Sequence, residues 1–341
     1  MSDATTVVDP LAWTRPWQVA LAAYDRDPAG YEARQLNLSE NATYLCTSRS
    51  GDERLILRLH RPGFRTHAQI RSELAWLLAL RDSATVATPA WVPAADGSAV
   101  AAFPGAQGEQ HAALFEYVSG QEPDEAAWES VLQVVGRETA RLHEHARGWE
   151  LPPDFARPVW DVENLIGRAS LWGRWQDTPE VDLVPDGRSL LTAAEACVRA
   201  ELRAYGSAPD RFGLIHGDLR STNLLVDGPL VHVIDFDDCG FGWFMYDVAC
   251  SLSFVEHDPR VPQWVEAWTR GYREAGRLDD ADLRIIPTMI MLRRLLLVAW
   301  LEQRRETSYA AELRGTYVHQ SVDLARRYLD GALLGSSLAV A

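Results

Sequence analysis

The segment from residue 214 to residue 238 holds the side chains best suited to chemistry. Asn223 precedes the turn-forming triplet Asp227-Gly228-Pro229, and Asp235 follows it. If the chain reverses at that triplet, the two side chains lie next to each other at the open end of a hairpin. Together their amide and carboxylate oxygens suit Mg²⁺, which takes one or two protein oxygens and leaves positions for water and phosphate. The sequence therefore predicts a magnesium site formed by Asn223 and Asp235.

Asp218 lies five residues before Asn223, on the loop that enters the same hairpin. Its carboxylate can face a metal-bound phosphate and accept the proton of an attacking hydroxyl. Taken singly, these residues have ordinary interpretations: His216 as a packed core histidine, Asp237 and Asp238 as solvated charges. The ordered combination of H-x-D, an asparagine five residues later and an aspartate beyond the turn favours a kinase catalytic loop with its metal site.

The region before residue 120 has the pattern of strands around one helix. Thr43–Thr47 is rich in strand-forming residues and Arg54–His60 alternates between apolar and polar side chains, which together predict a hairpin. From Thr66 to Arg81 the apolar period becomes helical. The apolar stripe of this helix comprises Ile70, Leu74, Leu77 and Leu78. Glu73 falls inside the stripe, and because an unpaired buried carboxylate is costly, we expect a cation to meet it.

A further strand pair is predicted between Trp91 and Val118, and most of the chain after Gly120 has a helical period. The predicted helices are Asp124–His145, Ser189–Tyr205, Val261–Ala275, Asp280–Arg305 and Ser308–Leu334. These patterns predict an α+β fold of two lobes. A small antiparallel-sheet lobe with one main helix is expected over residues 1–117, and a larger, mainly helical lobe over residues 118–341.

Composition and charge exclude several classes of protein. The 341 residues are 47% hydrophobic and 24% charged, as is typical of a folded chain. With 33 basic and 48 acidic residues, the formal net charge of −15 argues against general binding to nucleic acid or an anionic membrane. Residues 285–301 are apolar but contain Pro287, Arg293 and Arg294, so we expect no membrane-spanning helix there.

The cysteines and the N-terminus indicate the compartment. Four scattered cysteines form no C-x-x-C pair, and the first 16 residues lack a basic stretch followed by an apolar run. We therefore expect a cytoplasmic protein with neither disulfides nor a signal peptide. All 33 basic residues are arginine, so any role usually filled by lysine must fall to arginine.

The stretch from His216 to Asn223, followed by Ile234–Asp238, resembles the catalytic and metal-binding motifs of the aminoglycoside phosphotransferase/choline kinase superfamily. Arg58–Gly63 and Gly240–Ala249 are most similar to its bacterial branch near the stress-response kinase. The resemblance covers roughly residues 37 to 254. It implies a bilobal protein-kinase-like fold, Mg²⁺, and ATP as phosphoryl donor, with GTP left open.

In the first lobe the resemblance implies that Arg58 takes the place of the lysine that holds the α- and β-phosphates. Glu73, 15 residues later, takes the place of its ion-pair partner. Arginine can bind a carboxylate and a phosphate bidentately, so the charge is kept while the geometry changes. A purely structural Arg58–Glu73 pair is the alternative.

Two further nucleotide contacts follow from the resemblance. Ser39, Asn41 and Thr43 fall where relatives fold a loop over the phosphates, but the loop lacks G-x-G-x-x-G, so an ordinary polar hairpin turn is the alternative. Glu116 and Val118 fall at the interlobe hinge of the family. There the Glu116 carbonyl and the Val118 amide are expected to meet adenine.

Three features of the second lobe have assigned or open roles. Asp247 resembles an acid that accepts bonds from the catalytic-loop backbone, a structural role. Arg220 either steadies the transferred phosphoryl group or pairs with Asp237 or Asp238. The tryptophan- and proline-rich stretch Trp149–Asp186 is either aromatic packing in a long insertion or one wall of an acceptor pocket.

The leading hypothesis is an ATP-dependent phosphotransferase that acts on a hydroxyl of a small molecule, either an antibiotic or a metabolite. Asp218 and Arg220 are its predicted catalytic residues. A Ser/Thr protein kinase of the stress-response type is the first alternative, although the segment from Asp235 to Asp247 is short for a peptide platform. A non-catalytic nucleotide-binding regulator is the second. Four acids downstream of the metal site are compatible with a cationic acceptor: Asp237, Asp238, Glu256 and Asp258. The sequence predicts no oligomeric state.

Overall fold

The computed structural model describes residues 12–105, 108–228 and 230–335. The chain forms two compact units, here called unit 1 and unit 2. Unit 1 contains the described part of residues 1–119 together with Leu151–Ala156, and unit 2 contains the other described residues. The short return of the chain to unit 1 is a feature that the sequence pattern does not predict.

Unit 1 is built on a six-stranded antiparallel sheet. Its strands are β1 (Tyr31–Leu38), β2 (Asn41–Ser48), β3 (Arg54–His60), β4 (Trp91–Val92), β5 (Ala101–Gly105) and β6 (Gly108–Glu116). They lie in the order β1-β2-β3-β6-β4, with β5 also paired to β6. The predicted hairpin is confirmed as β2–β3 and the second strand pair as β5–β6. Leu55, Leu57 and Leu59 of β3 are buried, as the alternation requires.

Two α-helices accompany this sheet, α1 (Trp17–Ala22) and α2 (His67–Asp82). Helix α2 begins at a capping box in which Thr66 and Gln69 exchange side-chain and backbone hydrogen bonds. Leu78 is 43% exposed, so its place in the predicted apolar stripe is wrong. Trp76 and Leu80 are buried instead. They follow Glu73 by three and seven residues, so they lie on the same face of the helix as Glu73. Glu73 therefore lies within the buried face.

Unit 2 is mainly helical. Its helices are α3 (Trp128–Gly148), α4 (Val162–Leu165), α5 (Gly187–Tyr205), α6 (Tyr246–Ser251), α7 (Val261–Ala275), α8 (Asp280–Gln303) and α9 (Ser308–Leu329). The five predicted helices are confirmed as α3, α5, α7, α8 and α9, with shifts at several ends. Helices α3 and α7 pack closely because Gly271 has no Cβ, which would collide with the Gln133 carbonyl.

Two small sheets interrupt the helices of unit 2. Their strands are β7 (Val159–Trp160), β8 (Phe212–Ile215), β9 (Leu224–Asp227), β10 (Leu230–Val233) and β11 (Gly240–Trp243). Strands β9 and β10 form the predicted hairpin, while β11 lies between β7 and β8. Within the described ranges, no helix has both the length and the apolar character that crossing a membrane requires.

Candidate active site

The loop between β8 and β9 carries His216, Gly217 and Asp218, and Asp247 of α6 fixes its start. The Asp247 carboxylate accepts hydrogen bonds from the backbone N–H of His216 at 3.1 Å and of Gly217 at 2.8 Å. Asp247 is fully buried. The predicted bonds from the loop backbone are therefore present, and they give Asp247 the geometry of a residue that holds the loop in place.

His143 of α3 supports Asp247 from the other side. Its Nε2 lies 3.0 Å from Asp247 Oδ2, and its Nδ1 lies 3.0 Å from the Tyr272 hydroxyl. Complete burial lowers the pKa of His143 because it disfavours the imidazolium, although the nearby carboxylate acts in the opposite direction. An Nε2–H that donates to Asp247 and an Nδ1 that accepts from Tyr272 satisfy this arrangement.

His216 is a packed, hydrogen-bonded residue beneath the loop. The backbone N–H of Asp218 donates to His216 Nδ1 at 3.3 Å, so the Nε2, 3.2 Å from the Ile234 carbonyl oxygen, carries the hydrogen that this carbonyl accepts. Its ring centroid lies 4.5 Å from that of Phe236. Of the two interpretations of this histidine, the structure favours the packed one, since both ring nitrogens link backbone segments of the site.

Gly217 is required by the shape of this loop. Its φ of +80° lies in the left-handed region, and a Cβ there would come within 2.6 Å of the Asp238 carbonyl oxygen. Any other residue at this position would push the loop away from the segment that follows Asp235.

Asn223 and Asp235 lie at the open end of the β9–β10 hairpin. Leu224 pairs with Val233, and the Ile234 N–H donates to the Asn223 carbonyl at 3.0 Å. Asp235 has a φ of +58°, which is uncommon for a residue other than glycine and is often found at functional sites. The predicted reversal at residues 227–229 is thus present, although Pro229 itself lies outside the described residues.

The Asn223 amide has a defined orientation. Its Nδ2 donates to the Asp218 carbonyl at 2.8 Å and to Asp218 Oδ2 at 2.9 Å. The Oδ1 atom therefore points away from Asp218 and is the atom left to ligate a cation. An amide oxygen of this kind is a hard-oxygen ligand of the sort that Mg²⁺ prefers, as is the carboxylate of Asp235 at the same end of the hairpin.

The Asp218 carboxylate meets two arginines. Arg293 Nη2 of α8 lies 2.5 Å from Asp218 Oδ1, and Arg220 Nε lies 3.3 Å from Oδ2. Arg293 is a residue of this site that sequence reasoning missed, because its partner lies 75 positions earlier in the chain. An arginine within a long apolar helix is the signal that could have found it.

Arg220 pairs with Asp218, a partner that neither of the two expected roles named. The buried Nε atom of Arg220 has no hydrogen-bond partner among the described residues. Its contact with Asp218 is therefore an ion pair without hydrogen-bond geometry. Its side chain is 30% exposed, against 8% for that of Arg293. Arg220 is therefore the more loosely held of the two cations beside Asp218.

In unit 1 the predicted cation for Glu73 is present. Arg58 Nη2 lies 2.5 Å from Glu73 Oε1, and both side chains are buried. Arg58 lies on β3 opposite Thr43 of β2, and its guanidinium carbon is 5.1 Å from the centroid of the Phe115 ring. The ion pair is thus a property of the folded sheet and helix, while its contact with a nucleotide stays a prediction.

The other predicted nucleotide residues lie at two places in unit 1. Ser39 is in the turn between β1 and β2, where its N–H donates to the Asn41 carbonyl at 3.0 Å. The Asn41 side chain is buried, and its Oδ1 has no hydrogen-bond partner among the described residues. Glu116 ends β6 and its N–H donates to Ala90, and Val118 follows two residues later. Their roles stay predictions.

The insertion rich in tryptophan is packed. Trp172 and Trp175 are only 6% and 1% exposed, and Trp175 Nε1 donates to Glu195 at 2.8 Å. Trp160 is also buried, and its Nε1 donates to the Asp238 carbonyl at 2.7 Å. The packing alternative therefore accounts for these three rings.

Two of the acids considered for a cationic acceptor, Glu256 and Asp258, are already paired within the chain. Glu256 is buried and bonds Arg294 at 2.7 Å and the Tyr317 hydroxyl at 3.0 Å. Asp258 forms an ion pair with Arg260 at 2.7 Å. Glu256 in particular has its charge neutralised inside the helical packing, which removes it from the candidates for binding an amine.

The loop and hairpin of unit 2 and the sheet–helix ion pair of unit 1 are each features that the motifs predict for a phosphotransferase of the protein-kinase-like class. The sequence profile of the phosphotransferase enzyme family matches residues 32–283. The chain therefore belongs to that family, as the motifs predict. Its fold is shared with the solved structures of aminoglycoside phosphotransferases and choline kinases, and it is an ATP-dependent phosphotransferase that acts on the hydroxyl of a small molecule.

Individual relatives are similar over most of their length. The solved microcompartment-associated aminopropanol kinase is 43% identical, with 94% of this chain and 98% of that one covered and a TM-score of 0.85. Amicoumacin kinase of Bacillus subtilis is 28% identical, with 80% of each chain covered. Stress response kinase A of Escherichia coli is 26% identical, with 79% of this chain and 76% of that protein covered.

Proposed function

We propose that this phosphotransferase moves the γ-phosphate of ATP to the hydroxyl of a short amino alcohol, with Asp218 as the residue that accepts the hydroxyl proton. The arrangement of Asp218, Asn223 and Asp235 on one loop and hairpin carries the mechanistic part of the proposal. The acceptor class is supported by the 43% identity with the aminopropanol kinase over nearly all of both chains.

Asp218 performs the proton step. The acceptor hydroxyl donates a hydrogen bond to the carboxylate, and as its oxygen attacks phosphorus in line with the leaving ADP, the proton passes to Asp218. Oδ1 is engaged by Arg293 and Oδ2 by Asn223, with only the loosely held Arg220 beside Oδ2. Oδ2 is therefore the oxygen that an incoming hydroxyl meets, once Arg220 gives way.

Asn223 Oδ1 and the Asp235 carboxylate hold Mg²⁺ in this proposal. The ion, when bound, neutralises charge on the phosphates during transfer. The residues of this chain prepare its site: Asp218 orients the Asn223 amide, and the hairpin bonds at Ile234 set the spacing between the two ligands.

The nucleotide contacts are assigned to unit 1. Arg58 holds the α- and β-phosphates and Glu73 holds Arg58 in the orientation that this requires, as the 2.5 Å pair supports. Ser39 of the β1–β2 turn and Asn41 and Thr43 of β2 contact the phosphates in this proposal. Glu116 and Val118 bind adenine through backbone groups.

Arg220 is the second catalytic residue. Its cation lies beside Asp218, so a small movement brings it to the phosphoryl group, where a positive charge stabilises the charge that develops in the transition state. Cys46 and Cys250 are buried thiols outside any disulfide and the phosphoryl donor is ATP, so we place the enzyme in the cytoplasm.

The test is an ATP-consumption screen of the purified protein with Mg²⁺. The acceptors are aminopropanol, ethanolamine, choline, homoserine, amicoumacin, aminoglycosides and a generic protein, and Asp218→Asn serves as the inactive control. We expect the highest kcat/KM with aminopropanol or a close amino alcohol. Efficient phosphorylation of protein serines, with no small-molecule acceptor, would overturn the proposal and favour the similarity to stress response kinase A.

A further inference from the structure

Helix α8 buries two consecutive arginines, Arg293 and Arg294, in an otherwise apolar stretch. They are 7% and 0% exposed. A buried guanidinium is costly unless charge and hydrogen bonds compensate it. Because neighbouring residues on a helix point about 100° apart, each arginine meets its own set of partners.

Arg294 belongs to a closed cluster. It bonds Glu256 at 2.7 Å, the Ser321 hydroxyl at 2.6 Å and the Tyr317 carbonyl at 2.8 Å. None of these contacts involves the loop that carries Asp218. The cluster ties α8 to α9, which is a structural role.

Arg293 is anchored differently, and its anchors point it at the catalytic loop. Its Nε donates to the Ser253 hydroxyl at 3.0 Å, and its Nη1 lies 3.4 Å from the Tyr246 hydroxyl and 3.5 Å from the Gly217 carbonyl. The remaining nitrogen, Nη2, donates to Asp218 Oδ1 at 2.5 Å. The guanidinium is therefore fixed on the other sides before it reaches the carboxylate.

This contact determines how the Asp218 carboxylate is turned. The terminal torsion of an aspartate is soft and nearly two-fold, so a carboxylate held on one oxygen alone can rotate. Arg293 holds Oδ1 while the Asn223 amide holds Oδ2, and one bond on each oxygen fixes the plane. Oδ2 is thereby kept toward Asn223 and Arg220.

We propose that Arg293 is the positioning residue of Asp218: it holds Oδ1 so that Oδ2 faces the acceptor hydroxyl. The inference rests on the proposed role of Asp218. Arg293 lies 75 residues after Asp218, on a helix outside the catalytic motif. In this proposal it sets the orientation of the Asp218 carboxylate, which accepts the proton.

The experiment compares Arg293→Lys and Arg293→Met with the matched control Arg294→Lys, in full-length protein with ATP, Mg²⁺ and aminopropanol. For Arg293→Met we expect kcat to fall about 100-fold, since small misplacements of a reacting group have effects of that size. The KM for ATP should stay within about twofold, and Arg293→Lys should recover part of kcat. Arg294→Lys should lower Tm and leave kcat near wild type below its melting range.

Two further measurements separate positioning from folding. Ser253→Ala removes only the hydroxyl that accepts from Arg293 Nε. Its kcat should therefore fall several-fold while its KM for ATP stays unchanged. This variant keeps the proposal testable if Arg293→Met does not fold. In an Asp218→Asn background, Arg293→Met should change the residual rate little, because the two act through one group.

Wild-type kcat in folded Arg293→Met or Ser253→Ala would overturn the positioning role. So would a kcat loss that Arg294→Lys matches. If instead Asp218→Asn keeps full turnover, the result contradicts the proposed role of Asp218 itself and not only the positioning role of Arg293. If aminopropanol is not phosphorylated, the same comparison is made with the acceptor that the screen identifies.

Discussion

The two units use the same interaction, a buried contact between arginine and carboxylate, in different ways. In unit 1, Arg58 and Glu73 form a pair of one cation and one anion, with side chains 6% and 0% exposed. In unit 2, the Asp218 carboxylate is 15% exposed and meets Arg293, Arg220 and the Asn223 amide. The Glu73 carboxylate is fully buried, whereas the Asp218 carboxylate is partly exposed to solvent.

The difference indicates where each charge contributes. Removing one member of a buried ion pair is strongly destabilising, because the charge that stays in the interior loses its opposite charge. Removing the charge of Asp218 leaves a neutral amide that still offers an oxygen to Arg293. We therefore expect unit 1 to lose stability, and unit 2 to lose turnover, when the respective carboxylate is changed.

The largest expected effect on turnover is that of Asp218→Asn. Loss of the proton acceptor should lower kcat by about 10²- to 10⁴-fold, while nucleotide affinity and the fold persist. The measurement is steady-state kinetics alongside nucleotide titration and thermal melting. Asp323→Asn, on the surface of α9, is the control for an unrelated lost charge. Unchanged turnover would show that Asp218 does not take part in the mechanism, and the contrast between the Glu73 and Asp218 carboxylates would then have no basis.

The second prediction examines the buried ion pair of unit 1. Glu73→Ala and Arg58→Ala should each cost about 3–5 kcal/mol of stability, since each removes one partner of a buried ion pair. Both should also raise the KM for ATP if Arg58 holds phosphates. The double variant should cost less than the sum of the single variants, because they share one interaction. Strict additivity in denaturant unfolding would contradict the 2.5 Å contact.

Asp235→Ala tests the metal site at the end of the hairpin. The Mg²⁺ concentration needed for half-maximal nucleotide binding should rise by about tenfold or more, equivalent to about 1.4 kcal/mol. Asp227→Ala, at the other end of the same hairpin, is the matched control. Magnesium titrations of Asp235→Ala that coincide with wild type would show that this carboxylate is not a ligand.

A third buried carboxylate extends the comparison, since Asp247 meets an imidazole. Burial lowers the pKa of His143 in the folded protein. Below the unfolded pKa of about 6.5 the unfolded chain binds a proton that the folded chain does not, so the free energy of unfolding decreases as pH falls. The slope contributed is at most about 1.4 kcal/mol per pH unit.

Urea unfolding between pH 5 and pH 7 measures this slope. The variant His143→Gln keeps hydrogen-bonding groups without the titration, so its unfolding free energy should depend less on pH in this range. His111, His232 and His257 also have pKa values lowered by burial, and they contribute equally to both proteins. Identical slopes would mean that His143 does not contribute.

The predictable parts of this molecule are those that local chemistry specifies. The triplet at residue 227 fixes the hairpin, and the hairpin fixes Asn223 beside Asp235. Glu73 inside an apolar stripe requires a cation, and the family resemblance names Arg58 as that cation. In contrast, β1 is mostly exposed, so its residues lack the alternation that reveals a strand. In the sequence, Arg293 indicates only that its helix does not span a membrane, because its partner is set by tertiary packing.

The return of Leu151–Ala156 to unit 1 has a consequence for how the chain folds as it is synthesised. The Ala156 N–H donates to the Ser72 hydroxyl at 2.9 Å, and Arg71 lies 3.4 Å from Asp154. Domains generally form in order as they leave the ribosome. Unit 1 cannot complete its contacts when residue 119 has been synthesised. Residues 151–156 complete them, and these follow α3 of unit 2 in the chain. A gene fragment that ends at residue 119 would therefore encode an incomplete folding unit.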